Sequence, residues 1–110
     1  MDDKRIQKLN NQIRDTIGEI IIKELDIPVG ALITVTRVEV APKSMDSSVF
    51  ISVLPDDKAE DVFSELSKRK PYFQALLQKK IRMNPRPKIH FKLDRTEKEA
   101  AEIEKVLESL

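Results

Sequence analysis

Between Lys68 and Leu93 the chain reads KRKPYFQALLQKKIRMNPRPKIHFKL, and two changes of pattern within it set an order of elements. Lys70 precedes Pro71, and a proline ring disfavours helical backbone in the residue before it, so a helix arriving from upstream should break there. Pro71 itself suits the first turn of a second helix, where its missing N–H has no partner to lose. Phe73, Leu76, Leu77 and Ile81 then recur at helical spacing until MNPRP ends the run. In KIHFKL, Ile89, Phe91 and Leu93 alternate with Lys88, His90 and Lys92, the pattern of a strand with one buried and one basic face. The stretch is therefore expected to be a helix end, a kink at Arg69-Lys70-Pro71, a helix and a strand.

Working outward, PDDKAEDVFSELSKRK (Pro55 to Lys70) opens with acids that favour a helix N-terminus and carries Val62, Phe63 and Leu66 as its apolar stripe. Before it, LITVTRVEV (Leu32 to Val40) and SSVFISVL (Ser47 to Leu54) are dense in β-branched residues, and the short loop APKSMD between them favours an antiparallel hairpin. Ile6, Leu9, Ile13, Ile17, Ile20 or Ile21 and Leu25 predict an amphipathic helix over about Asp3 to Leu25. DIPVG stops it, because Pro28 cannot continue a helix and Gly30 can take a left-handed turn. Downstream, Thr96 and Glu99 form a capping-box pattern ahead of Ile103, Val106, Leu107 and Leu110, which predicts an acidic last helix. The reading is a single α+β domain over residues 1–110, in the order α-β-β-α-kink-α-β-α, without repeats or linkers.

Composition narrows the function. With no cysteine there is neither a disulfide framework nor a thiolate metal site. No apolar run approaches the roughly 20 residues that span a bilayer, and MDDKRIQKLNNQ lacks a signal peptide's apolar region, so a soluble, cytoplasmic monomer is expected. His90 is the only histidine, which excludes an imidazole pair for metal or acid–base work. Asp56 and Asp57 lack a third acid for Mg²⁺ and read as helix-capping residues. Gly18 and Gly30 are the only glycines, and neither begins a phosphate loop. The chain is read as non-enzymatic, without cofactor or metal.

Charge supplies the positive signal. The protein has 20 Lys plus Arg against 19 Asp plus Glu, a net charge of +1, yet nine of those bases and no acid lie in the quoted stretch. The remainder holds 11 bases against 19 acids, a balance of −8. A lone charge run is most often a solvated face, but absence of every acid from Leu66 to Leu93, across two helices and a strand, favours a polyanion partner. Lys68, Arg69 and Lys70 at the elbow, with free N–H groups at the start of the next helix, would hold a phosphate backbone. Lys79, Lys80, Arg82, Lys88 and Lys92 extend that surface. Lys4, Arg5 and Lys8 form a second, weaker group in a first helical turn, where the dipole disfavours cations. Tyr72 is read as packing at the helix start rather than stacking on a base.

The element order with a basic helical elbow is that of the type II KH-like domain, and ITVTRVEVAPKSMDSSVFISVL resembles the paired strands of the ribosome-binding factor A family. YFQALLQKKIRMNPRPKIHFKLDRT is similar to that family's third helix and last strand, through Arg82, Pro87, Ile89-His90-Phe91 and Asp94-Arg95-Thr96. The opening KRIQKLNNQIRDTIGEIIIKEL matches its first helix, so the likeness covers essentially the whole chain. The resemblance implies a bacterial assembly factor, linked to growth in the cold, that binds the immature 30S subunit near the decoding region. It further implies a role late in 16S rRNA maturation and release aided by an assembly GTPase. Arg69, Lys70 and Pro71 stand where the family commonly has an Ala-x-Gly kink, and Asn84 and Lys88 stand where it often has a base and an acid. The extended basic tail of longer members is not expected. A general single-stranded RNA module, or a protein-interaction domain with a basic face, are the alternatives that the residues alone leave open.

Overall fold

The computed structural model describes residues 2–95; the expected last helix lies outside them. Helix α1 (Asp3–Glu24) opens at Asp2, whose carboxylate accepts from the Arg5 N–H at 2.9 Å. Its apolar stripe buries Leu9, Ile13, Ile17, Ile20 and Ile21. Leu25 leaves helical geometry, and Gly30, at φ +84°, turns the chain towards the sheet in a conformation that side chains resist.

Strands β1 (Leu32–Val40) and β2 (Asp46–Leu54) pair antiparallel, as the loop length implies. A bulge lies between Val35 and Arg37, so the inward positions pass from Ile33 and Val35 to Val38 and Val40. Two residues opposing one explain why β1 shows no single alternation. Strand β3 (Lys88–Leu93) adds parallel to β2, giving the order β1-β2-β3. Ile89 and Phe91 point inward as their spacing predicts.

The helix after β2 does not start at Pro55, which is extended; a 3-10 turn (Asp56–Lys58) precedes α2 (Ala59–Lys68). The elbow also differs by one residue from the expected break. Arg69 (φ −98°, ψ 12°) interrupts the helices, and Lys70 already belongs to α3 (Lys70–Lys80) despite preceding proline. The Arg69 carbonyl accepts from Tyr72 N–H at 3.0 Å and Phe73 N–H at 3.1 Å, closing the first turn of α3. Those two bonds, worth about 0.5–1.5 kcal/mol each, outweigh the steric preference of a pre-proline residue.

Helix α1 packs on β1 and α3, α2 on β2 and β3, and α3 on β3. They meet over one core containing Ile13, Ile17, Ile51, Leu66, Phe73 and Ile89, all fully buried. Phe73 and Phe91 meet edge to face, their centroids 6.0 Å apart. The opposite sheet face, with Ser48, Phe50, Ser52, Lys88 and Lys92, is not buried. No helix among the described residues is long and apolar enough to cross a membrane.

Candidate nucleic-acid interface

The three bases at the elbow have three different surroundings. Lys68 is exposed at the end of α2. Arg69 is half-buried: its Nη1 donates to the Glu24 carbonyl at 2.9 Å, and its guanidinium lies 4.8 Å from the Tyr72 ring centroid and 5.3 Å from that of Phe73. It thereby ties the elbow to the end of α1, where helical carbonyls lack intrahelical partners. Tyr72 reinforces the tie by donating its hydroxyl to Glu24 Oε2 at 2.7 Å, a bond that raises the phenol's pKa. The first-turn N–H groups of Tyr72 and Phe73 are occupied by the Arg69 carbonyl and Pro71 has none, so these three residues leave no free backbone donor at the helix start.

Lys70 is also half-buried, with Nζ 3.1 Å from His90 Nδ1, while His90 Nε2 lies 3.0 Å from Asp46 Oδ1. A lysine ammonium only donates, so Nδ1 accepts and Nε2–H donates to Asp46. The bond from His90, followed by one from Ser44, lowers the Asp46 pKa from its ordinary 3.8. His90 is thus more than the bland strand residue its sequence position implies.

Helix α3 carries the remaining bases away from the elbow. Its 11 residues span about 16 Å at 1.5 Å per residue. Lys79 and Lys80 are exposed in the last turn, where the helix dipole favours cations, and Arg82 and Arg86 are exposed in the following loop. Lys88 is exposed at the start of β3; Lys92 is exposed farther along it, with Nζ 5.9 Å from the Phe50 ring centroid. Lys4, Arg5 and Lys8 are exposed in the opening turns of α1. Asn10 Oδ1 accepts from Val40 N–H at 3.0 Å, so this end of α1 adjoins the end of β1 that leads into the β1–β2 loop.

The fold also recruits a base outside the quoted stretch. Lys88 N–H donates to the Met45 carbonyl at 2.9 Å, docking the α3–β3 loop against the β1–β2 loop and bringing Lys43 into the same concavity as Arg86 and Lys88. Nothing in the local sequence signals this, because it depends on β3 lying parallel to β2. No group of three His, Asp or Glu residues among the described residues is placed to hold a metal ion.

The family model for ribosome-binding factor A matches residues 5–107. The chain belongs to that family. Ribosome-binding factor A of Fervidobacterium nodosum is 32% identical over an alignment covering 96% of this chain and 88% of its own. The crystal structure of ribosome-binding factor A from Thermus thermophilus superposes with a TM-score of 0.69 at 23% identity, covering 80% of this chain and 94% of that one. A Thermus thermophilus ribosome-binding factor A homology model, fitted into a cryo-electron microscopy map of a 30S complex, gives a TM-score of 0.66 at 25% identity, over 80% and 93% of the two chains. The α+β architecture is therefore the KH-like fold of ribosome-binding factor A structures, with its elbow formed here by Arg69 ahead of Pro71.

Proposed function

We propose that this chain is a non-enzymatic assembly factor of the bacterial cytoplasm that binds the immature 30S subunit and assists late processing of its 16S rRNA. Membership of the ribosome-binding factor A family supports this, as does the fit of a Thermus thermophilus relative into a map of a 30S complex. The observation that carries it is the exposed bases at the two ends of α3, Lys68 at the elbow and Lys79, Lys80, Arg82, Arg86 and Lys88 at and beyond its far end. Every one of these bases is exposed, and none makes a salt bridge with the described residues. Such a surface positions a protein on phosphates without reading sequence.

If some five bases neutralise phosphates, the slope of log K against log salt is about −3.5 to −4.5, and affinity falls at least a hundredfold between about 50 and 200 mM salt. Subunits from cold-grown cells, sedimented with the protein at several salt concentrations, measure this. Replacing exposed Lys68, Lys79 and Lys80 by Gln should reduce the slope by about two to three units. Gln at Lys58, Lys98 and Lys105, which stand in acidic sequence, should leave binding nearly unchanged. Salt-insensitive binding, or equal affinity for immature subunits and free oligonucleotides, would overturn the proposal.

A further inference from the structure

Where the β1–β2 loop meets the α3–β3 loop, a concavity of about 480 Å³ has Lys43, Gln78, Asn84, Arg86 and Lys88 in its walls. A second, of about 410 Å³, adjoins it and shares Gln78, Met83, Asn84 and Arg86. Each volume lies within the roughly 300–1,000 Å³ range of small-ligand sites. We infer that this double concavity takes one unpaired nucleotide of RNA, its phosphate against Lys43, Arg86 and Lys88 and its base against Met83 and Asn84.

The polarity of the site follows from the backbone. Ile89 N–H donates to Gln74 Oε1 at 2.9 Å, which fixes the orientation of that amide. Gln74 Nε2 then donates to the Pro87 carbonyl at 2.8 Å and to Gln78 Oε1 at 3.3 Å. With its oxygen engaged, Gln78 has its NH₂ left to offer, so lysine, arginine and amide donors converge on one space. No carboxylate lines either concavity. Asp46, two residues after Ser44, directs its carboxylate to His90, and Lys88, its partner in the β2–β3 register, adds a smaller attraction. Donors without acids select an anion, and a phosphodiester meets them without carrying a second full charge.

The neighbouring space adds Ile81 to the shared Met83 as apolar surface, beside the Asn84 amide and the Arg82 and Arg86 guanidiniums. An apolar wall with an amide at its edge suits the face and edge of a base. A base reaches such a recess only when it is unpaired, whereas a duplex presents phosphates on a convex surface. Lys43 and the amides thereby gain a role that a flat charged surface would not require.

This site rests on the rRNA reading above, and methionine-methyl NMR of the intact protein tests it separately. Met83 lines both concavities, whereas Met45 is buried and lines neither, providing an internal control. Titration with a short single-stranded oligoribonucleotide should shift the Met83 methyl more than that of Met45, which is buried beside the site. Lys43→Gln with Arg86→Gln should weaken the response about tenfold or more, whereas Lys58→Gln with Lys98→Gln, which stand in acidic sequence, should weaken it by less than about threefold. A still Met83 methyl while fluorescence anisotropy reports oligonucleotide binding overturns the site. So does an equal response to an RNA duplex or a poly-glutamate peptide. If Met83 stays still but salt-dependent subunit binding persists, the pocket falls and the assembly role stands. If Met83 responds but subunits are not bound, the assembly role falls and the pocket stands.

Discussion

Arg69 belongs to the same run of bases as Lys68, yet the fold gives the two opposite tasks. Glu24 ends α1, and its carbonyl is among those that an isolated helix leaves without an N–H partner. Arg69 donates to that carbonyl at 2.9 Å and brings positive charge to the negative end of the helix dipole. Its placement over Tyr72 and Phe73 adds a cation–π contribution of about 0.5–1 kcal/mol. Arg69→Gln should therefore cost about 1–3 kcal/mol in urea denaturation. Lys68→Gln, one residue away and exposed, should stay within about 0.5 kcal/mol. Equal, negligible costs would show that the guanidinium does not anchor the elbow. Arg69 and Lys70 are each engaged, with Glu24 and His90, so replacing both would disturb the elbow as well as remove charge.

At the level of elements, the outer edge of β3 shows how a helix protects a strand. An edge strand leaves alternate N–H and carbonyl groups without ladder partners, a template for unwanted pairing. Gln74 of α3 occupies two of them, accepting from Ile89 N–H at 2.9 Å and donating to the Pro87 carbonyl at 2.8 Å. Gln74→Ala removes both bonds at a half-buried site and should destabilise by about 1–3 kcal/mol. Amide hydrogen exchange at Ile89 should accelerate beyond what global stability explains; unchanged exchange there would sink the edge-protection role. The strand itself was legible, since Ile89 and Phe91 alternate with Lys88 and His90 in a short run. The hairpin and the stripes of α1, α2 and α3 were equally legible, each being a local consequence of one buried face. Sequence did not show the bulge at Thr36 or the parallel docking of β3 on β2, which depend on partners distant in the chain. The anchoring of the Arg69 guanidinium has the same cause, because its partner Glu24 lies 45 residues away.

Across the whole molecule, chemistry legible as a charge count becomes a spatial arrangement that the count does not contain. The acid-free stretch does mark the basic surface, but α3 divides it between the elbow and the loop end, and Lys43 joins from elsewhere. At the loop end Lys43, Arg86 and Lys88 line one concavity and Arg82 and Arg86 the one beside it, and no salt bridge engages them among the described residues. Two like charges about 8 Å apart in water repel by about 0.5 kcal/mol, and the repulsion is largely screened once the Debye length falls below that distance. Like charges gathered at one loop end should therefore reduce the stability of the protein in low salt. Arg82→Gln with Arg86→Gln should raise stability by about 0.5–1 kcal/mol at low ionic strength, with the advantage vanishing in roughly 0.5 M salt. The same variant should bind subunits more weakly at every salt concentration. Denaturant melts at both ionic strengths, paired with sedimentation, measure the two effects on one protein. If the variant is instead less stable than the parent by more than about 0.5 kcal/mol at low salt, the arginines hold the loop together and repulsion is not their main energetic consequence. A gain in stability with a loss of binding would show that the loop-end charges serve the RNA at the expense of the fold.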